Sequence, residues 1–444
     1  MKRIILFLIL NLLIGELIYA QAIQNFNKPE RIKWFEDLGF GMFIHWNVDV
    51  SLGVVISHSL AGASDEYVQK YISELPGFFN PQKFNPDEWA KLAKLAGMKY
   101  VVFTAKHHSG FCMFQTQTTS FNVINTPFAR DITRDIVEAF RKRDIAIGLY
   151  FSPEDFYYLY QHNIPIGRLQ LPKHFPVNNS GLMEYDKKQL KELLTNYGKI
   201  DILFIDGPGE GLREFAWSLN PNLIITRDEM KTPEQETPDT PLPRPWEACY
   251  TMGTDWQYKP TNDTLKSGKD IINMLIEIRA KGGNFLLNVG PKPNGEIEEE
   301  QQALLTEVAL WNFANSEAIY FVKPLPVIRE ENIWYTQSND GKAIYAFVLR
   351  NSYEDWKFGE RKNFVLTHIE GNEKTKVSIL GYKSELVEYK KELDSKIYLS
   401  ATSIGLVVSA VNGQRFYTNY QWPNAVVLKI ENAAFRSSNI PDDK

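Results

Sequence analysis

In 444 residues the chain has only two cysteines, Cys112 and Cys249. So few thiols exclude a disulfide framework; spacing leaves open whether the two meet, and two unpaired thiols are the expectation. Charge of one sign is missing too: 49 Lys and Arg stand against 54 Asp and Glu, a formal net charge of −5. A protein that neutralises a phosphate backbone shows a basic excess or stripe, so nucleic acid is not an expected partner. Neither GxGxxG nor GxxxxGK[ST] occurs, which leaves a nucleotide-binding sheet without support. A membrane span needs about 20 apolar residues. The apolar run Ile4 to Ile14 is shorter than that, and Glu16 follows it. With 44% apolar and 23% charged residues the composition is that of a globular protein, not of a disordered chain or a polytopic membrane protein.

What is present begins with an address. Lys2 and Arg3, the run Ile4 to Ile14 and the small residues Ala20 and Ala22 form the n-region, h-region and cleavage pattern of a secretory signal. Residues 1–22 are therefore expected to be a leader that sends the protein to the periplasm or the exterior. From about Phe40 to Ile319 short β-rich runs alternate with amphipathic segments. Strands are expected at Phe40–Trp46, Tyr100–Thr104, Ala146–Phe151, Asp201–Asp206, Leu223–Thr226 and Asn284–Val289, and Trp246–Glu247 opens a further apolar stretch. Helices are expected at Pro86–Ala96 with Asn85 as N-cap, and at Asp135–Arg143, Lys188–Tyr197 and Asp270–Lys281. Such alternation over this length predicts an α/β fold, best fitted by a (β/α)8-type barrel over residues 23–325, with an open doubly wound sheet second. After Pro324 the runs are short and turn-separated, among them Ser384–Tyr389, and predict an all-β sandwich over 326–435 followed by a disordered tail, 436–444.

In a parallel barrel the chemistry stands at the C-terminal strand ends. Those ends here carry His45-Trp46, Lys106-His107-His108, Tyr150-Phe151-Ser152, Asp206-Gly207 and Arg227-Asp228, and Asn288 closes the last. Three of the chain's seven histidines fall at two of them. Asp206 follows the apolar run Ile202 to Ile205, where a carboxylate is costly without partners. His107 and His108 are adjacent, so on extended backbone they point to opposite sides; neither i, i+2 nor HExxH spacing occurs, and no metal or other cofactor is expected. Neutral imidazoles, a tryptophan and a tyrosine around one or two carboxylates suit a sugar pocket, and aromatic residues reach 13% of the chain. Spacing alone yields a barrel glycosidase or a sugar binder.

At these residues the chain resembles the α-L-fucosidases of glycoside hydrolase family 29. The likeness runs through Phe40 to Trp46, Phe103 to His108 with Gly110 to Cys112, Gly148 to Ser152, Ile202 to Gly207, Thr232 to Gln235, Trp246-Glu247, Lys281 to Pro291 and Ala318 to Tyr320. The resemblance implies a barrel followed by a β-sandwich, and retaining hydrolysis of terminal α-L-fucosyl groups on oligosaccharides or glycoconjugates. By it Asp206 is the nucleophile and Glu234 the acid/base, with Glu247 in reserve. It also implies that His45, Trp46, Glu66, His107, His108 and Tyr150 hold the sugar. The chain departs from the pattern at Asn47 for a common Gly, Ser109 for a common Asp and Phe204 for a frequent Trp. Glu66-Tyr67 matches an EWY-like element without its Trp. A related α-L-galactosidase and a non-catalytic glycan-binding protein stay open as alternatives.

Overall fold

The computed structural model describes residues 26–167, 171–243, 245–414 and 423–436. The expected leader lies outside the described residues, as do 437–444 of the expected tail. Among the described residues no helix is long and apolar enough to cross a membrane.

Seven parallel strands form the first sheet: β1 (Phe40–Ile44), β2 (Tyr100–Lys106), β3 (Ala146–Phe151), β4 (Ile202–Ile205), β5 (Ile224–Thr226), β6 (Glu247–Thr251) and β7 (Asn284–Val289). Their order is β5-β4-β3-β2-β1-β7-β6. Helices between them start and stop for local reasons. Ser267 and Asp270 make a capping box for α-helix Gly268–Ala280, and Asp131 accepts from Arg134 N at 2.9 Å to cap Ile132–Arg141. Asn85 sits at the N-cap of Pro86–Ala96 as expected, but its side chain makes no capping bond. The helix ends at Gly97, whose φ of +90° is open to glycine alone at little cost.

The sheet curls, and two observations require it. Successive strands β5 and β6 lie at opposite edges, yet five residues beyond Thr226 the chain at Lys231 bridges in parallel to Trp246, at the start of β6. Five residues span at most roughly 18 Å, whereas seven interstrand steps in a flat sheet need roughly 33 Å. In addition, every one of the seven strands sends a side chain into one inner cluster, which includes Phe43, Val102, Tyr150, Phe204, Ile224, Cys249 and Leu286. Only a sheet wrapped around an axis brings these together. A (β/α)8-type barrel was expected; the described residues show seven parallel strands in a curled sheet, with the segment 231–235 bridged onto β6 at Lys231–Trp246 and Glu234–Cys249.

The remaining strands are antiparallel. Five of them, β14 (Lys376–Ile379), β17 (Val426–Glu431), β11 (Ala343–Val348), β10 (Ile333–Ser338) and β8 (Val322–Lys323), pair in that order, with β9 (Arg329–Glu330) also on β10. Another sheet runs β12 (Arg361–Leu366), β16 (Gly405–Val411), β15 (Tyr398–Thr402), and β13 (Ile369–Glu370) pairs with β18 (Ala434–Phe435). Ile344, Ala346 and Leu428 of the larger antiparallel sheet share a core with Phe364, Leu366 and Val408 of the three-stranded one, so these two sheets face one another across that core. The expected strand at Ser384–Tyr389 is not one: Ser384 and Tyr389 take φ of 58° and 61°, which interrupts extended backbone.

At the lower end of the parallel sheet Arg279, 2% exposed, donates to the carbonyls of Ile319, Gly283 and Glu36 and to Asn284 Oδ1. Arg279→Leu strands these acceptors and should lower stability by about 3 kcal/mol or more in denaturant unfolding.

Candidate active site

Parallel register puts the C-terminal ends of all seven strands at one rim. The ladder bonding continues past the strands: Ser152 N donates to Lys106 O, Asp206 N to Phe151 O and His45 N to Val289 O. These bonds hold the first loop residues at a fixed height. They surround a cavity of about 610 Å3, whose lining includes His45, His58, His107, His108, Tyr150, Glu154, Asp206, Arg227, Glu234 and Trp256. Phe43, Ile56, Phe156, Phe175 and Phe204 supply apolar wall.

Asp206 is the centre of charge. Tyr150 Oη donates to its Oδ2 at 2.7 Å, Arg227 Nε lies 3.2 Å from Oδ1, and His108 Nε2 lies 3.7 Å from Oδ2. Burial alone pushes the Asp206 carboxyl up. His108, Arg227 and the Tyr150 hydroxyl outweigh that push and hold it below the ordinary carboxylate range. The same guanidinium donates from Nη2 to Glu234 Oε2 at 2.7 Å, so Arg227 touches both carboxylates. Arg227 has a φ of 67°, a left-handed turn directly after β5 that aims it back over Asp206.

The histidines have assigned polarities. Asn288 Nδ2 donates to Trp256 O, so its Oδ1 accepts, and His45 Nδ1 must donate to it at 2.7 Å. His45 Nε2 is then an acceptor, and burial drives the ring's pKa down to about 4, which keeps it neutral. Ser152 Oγ donates to Glu154 O, so His108 Nδ1 donates to Ser152 Oγ at 2.5 Å. His107 Nδ1 meets Ser57 Oγ at 2.9 Å, and its ring stacks on Tyr150 with centroids 5.1 Å apart.

The alpha-L-fucosidase family model matches residues 14–317. The chain belongs to that family. That makes it a glycoside hydrolase. It is 26% identical to the alpha-L-fucosidase of Dictyostelium discoideum over 92% of this chain and 95% of that one. To the tissue alpha-L-fucosidase of Bos taurus it is 31% identical over 71% and 74%. Among solved structures, alpha-L-fucosidase isoenzyme 1 of Paenibacillus thiaminolyticus superposes with a TM-score of 0.72 at 27% identity, covering 90% of this chain and 98% of that one. An alpha-L-fucosidase of Bacteroides thetaiotaomicron, solved as a trapped covalent intermediate with 2-fluoro-fucosyl fluoride, gives 0.70 at 21% identity over 93% and 98%, a likeness of fold.

Of the residues that the family resemblance singles out, His45, His107, His108, Tyr150, Asp206 and Glu234 meet at this one cavity. Trp46 does not. It is wholly buried against Phe79, Phe84 and Trp89 in the layer between sheet and helices, because successive residues of a strand face opposite sides and His45 already faces inward. Trp256 does line the cavity, its ring centroid 4.8 Å from that of His45. Glu66 is exposed in the first turn of α-helix Asp65–Glu74 and does not line the cavity. Glu247 begins β6, paired with Asn284 at the start of β7, and so lies at the opposite end of the sheet from Asn288. The expectation that His107 and His108 diverge also fails. The β2–β3 register shifts between Thr104 and Lys106 and the backbone then turns, so both rings face the cavity with centroids 4.5 Å apart. Together with Asp206 they offer ligand atoms within 4.8 Å of one another.

Arg227, His58, Glu154 and Trp256 were not singled out in the sequence as site residues. Arg227 at a strand end was the one readable signal. Neither cysteine is bridged, and both are buried.

Under the histidines, wholly buried Lys106 lies 2.7 Å from Asp186 and 3.3 Å from Asp155. Lys106→Met leaves two buried carboxylates without their cation and should cost about 3–5 kcal/mol of stability in urea titration. Burial raises the Glu247 carboxyl from 4.5 to about 8, with Tyr100 Oη donating to it at 2.5 Å. The folded state therefore holds a proton that the unfolded chain releases above about pH 4.5, and this contribution to stability is lost as pH rises toward 8. Unfolding of Glu247→Gln followed from pH 4 to 8 should show a flatter decline than the parent.

Proposed function

We propose that the protein is a retaining, exo-acting α-L-fucosidase that removes terminal α-L-fucosyl groups from glycans. The observation that carries this is the pair Asp206 and Glu234, two carboxylates on one guanidinium at the mouth of a sugar-sized cavity. Retention calls for two carboxyl groups close together, about 5–5.5 Å apart, and Arg227 holds these two at neighbouring nitrogens of one guanidinium. Asp206, kept ionised by Arg227 and His108, attacks the anomeric carbon as the glycosidic bond breaks. Glu234, the more exposed of the two, protonates the departing oxygen. The resulting glycosyl-enzyme is opened by water that gives its proton to Glu234, and Asp206 leaves as carboxylate.

His45 Nε2 accepts from one sugar hydroxyl, while His107 and His108 lie on the same side of the cavity for its neighbours. Phe43, Phe204 and Trp256 give the apolar surface that a methyl-bearing sugar needs where most hexoses carry a hydroxymethyl group. Segment 231–235 serves in this reading as an irregular eighth strand that completes a (β/α)8-type barrel. Export rests on Lys2, Arg3 and the apolar run that follows.

Asp206→Ala should lower kcat for an aryl α-L-fucoside by at least about 10^3-fold; activity near the parent's overturns the assignment. Glu234→Ala should slow substrates with poor leaving groups most, and azide should restore part of the rate and yield a fucosyl azide detectable by mass spectrometry. A panel of α1,2-, α1,3-, α1,4- and α1,6-linked oligosaccharides with an α-L-galactoside control sets the linkage and glycone.

A further inference from the structure

We infer that His58 is a specificity-determining residue for the sugar, standing in the cavity wall beside His107 and His108. This rests on the fucosidase reading. Glu66, to which the family resemblance gives a sugar contact, is on an exposed helical turn away from the cavity. His58 lines the cavity instead, its ring centroid 6.0 Å from that of His108 and nearly parallel to it, and 6.1 Å from that of His107.

The loop that presents His58 is built for the purpose. Ser57 holds a φ of 61°, a conformation that a residue with a Cβ keeps only when its neighbours enforce it. Its N–H donates to buried Asp49 Oδ2 at 2.7 Å, and its Oγ meets His107 Nδ1 at 2.9 Å. Gln257 Nε2 donates to Val54 O at 2.7 Å and reaches Asp49 Oδ1 at 3.3 Å, tying the loop to the segment that carries Trp256. Asn47 Nδ2 donates to Ser109 Oγ at 3.0 Å and to Ser57 Oγ at 3.4 Å. Asn47 and Ser109 are two departures from the family pattern, far apart in sequence. In space they bond to one another, and Asn47 bonds also to the residue before His58. The two departures are thus parts of one local network, and it holds the loop that brings His58 to the cavity.

An imidazole brings to this wall a ring nitrogen that donates a hydrogen bond, which an ionised carboxylate lacks, and it brings no negative charge. Among the fucose hydroxyls, one therefore meets His58 in a bond that a ring nitrogen completes.

The test compares His58→Ala, His58→Asn and Glu66→Ala on 4-nitrophenyl α-L-fucoside and its 2-, 3- and 4-deoxy analogues, with thermal unfolding as a check on folding. His58→Ala should lower kcat/KM at least tenfold, mostly through KM, and Glu66→Ala should stay within twofold of the parent. His58→Asn, which keeps a donor and an acceptor, should recover to within about threefold. One deoxy analogue should be poor for the parent yet lose nothing further in His58→Ala. A twofold or smaller effect of His58→Ala, a tenfold effect of Glu66→Ala, or equal penalties for every deoxy analogue in parent and variant overturns the inference. Absence of turnover by the parent counts against the fucosidase reading by itself. Calorimetric binding of L-fucose to parent and His58→Ala then decides on His58, a tenfold weaker binding supporting it and equal binding overturning it.

Discussion

Lys106 places an ammonium group where no water reaches it, at the last position of β2 and directly before the two histidines. A buried cation is tolerable only with its counter-charges in place, so Asp155 and Asp186 must come to it from the loop after β3 and from α-helix Ser180–Asn196. Asp155 is committed in a second way, since its Oδ1 accepts from Tyr158 N and starts the short helix Phe156–Gln161. Gly110 passes so close to Asp155 that a Cβ there would lie 2.1 Å from Oδ1. The turn holding His107 and His108 is therefore pinned from below and from the side, and Phe156, whose N–H donates to His108 O, is carried with it to the cavity wall.

Above that foundation the site separates its charges. Asp206 has cationic or donor groups on three sides, Arg227, His108 and Tyr150, and each favours the ionised form. His45, whose ring centroid lies 5.6 Å from that of Tyr150, is held neutral by burial, and its proton is fixed on Nδ1 by Asn288. A carboxylate that stays charged near an imidazole that stays uncharged is the division of labour that the proposed reaction requires, and both settings come from neighbouring groups.

Much of this was legible in the sequence, and the failures have physical causes. The strands β1 to β5 and β7 could be read because buried parallel strands are continuous apolar runs, and reading what stood at their ends gave His45, His107, His108, Tyr150 and Asp206. Alternation of strand faces was applied to His107-His108, where a bulge and a turn suspend it, and not to His45-Trp46, where it holds. Glu247 carried the right charge at the wrong end of its strand. Trp256 and His58 come from segments with no period to read, and their place is set by bonds between parts distant in sequence, Asn288 to Trp256 and Gln257 to Asp49 and Val54.

The join between the segment 231–235 and β6 has a further consequence. Three backbone hydrogen bonds make it: Glu247 N to Lys231 O, Cys249 N to Pro233 O and Gln235 N to Cys249 O. Arg227 is tied to the same segment through the hydroxyl and carbonyl of Thr232. Glu234 thus stands on an edge of the curled sheet that a short ladder holds, while Asp206 follows β4 inside the long one. Local opening of that short ladder separates the two carboxylates without disturbing the rest of the sheet.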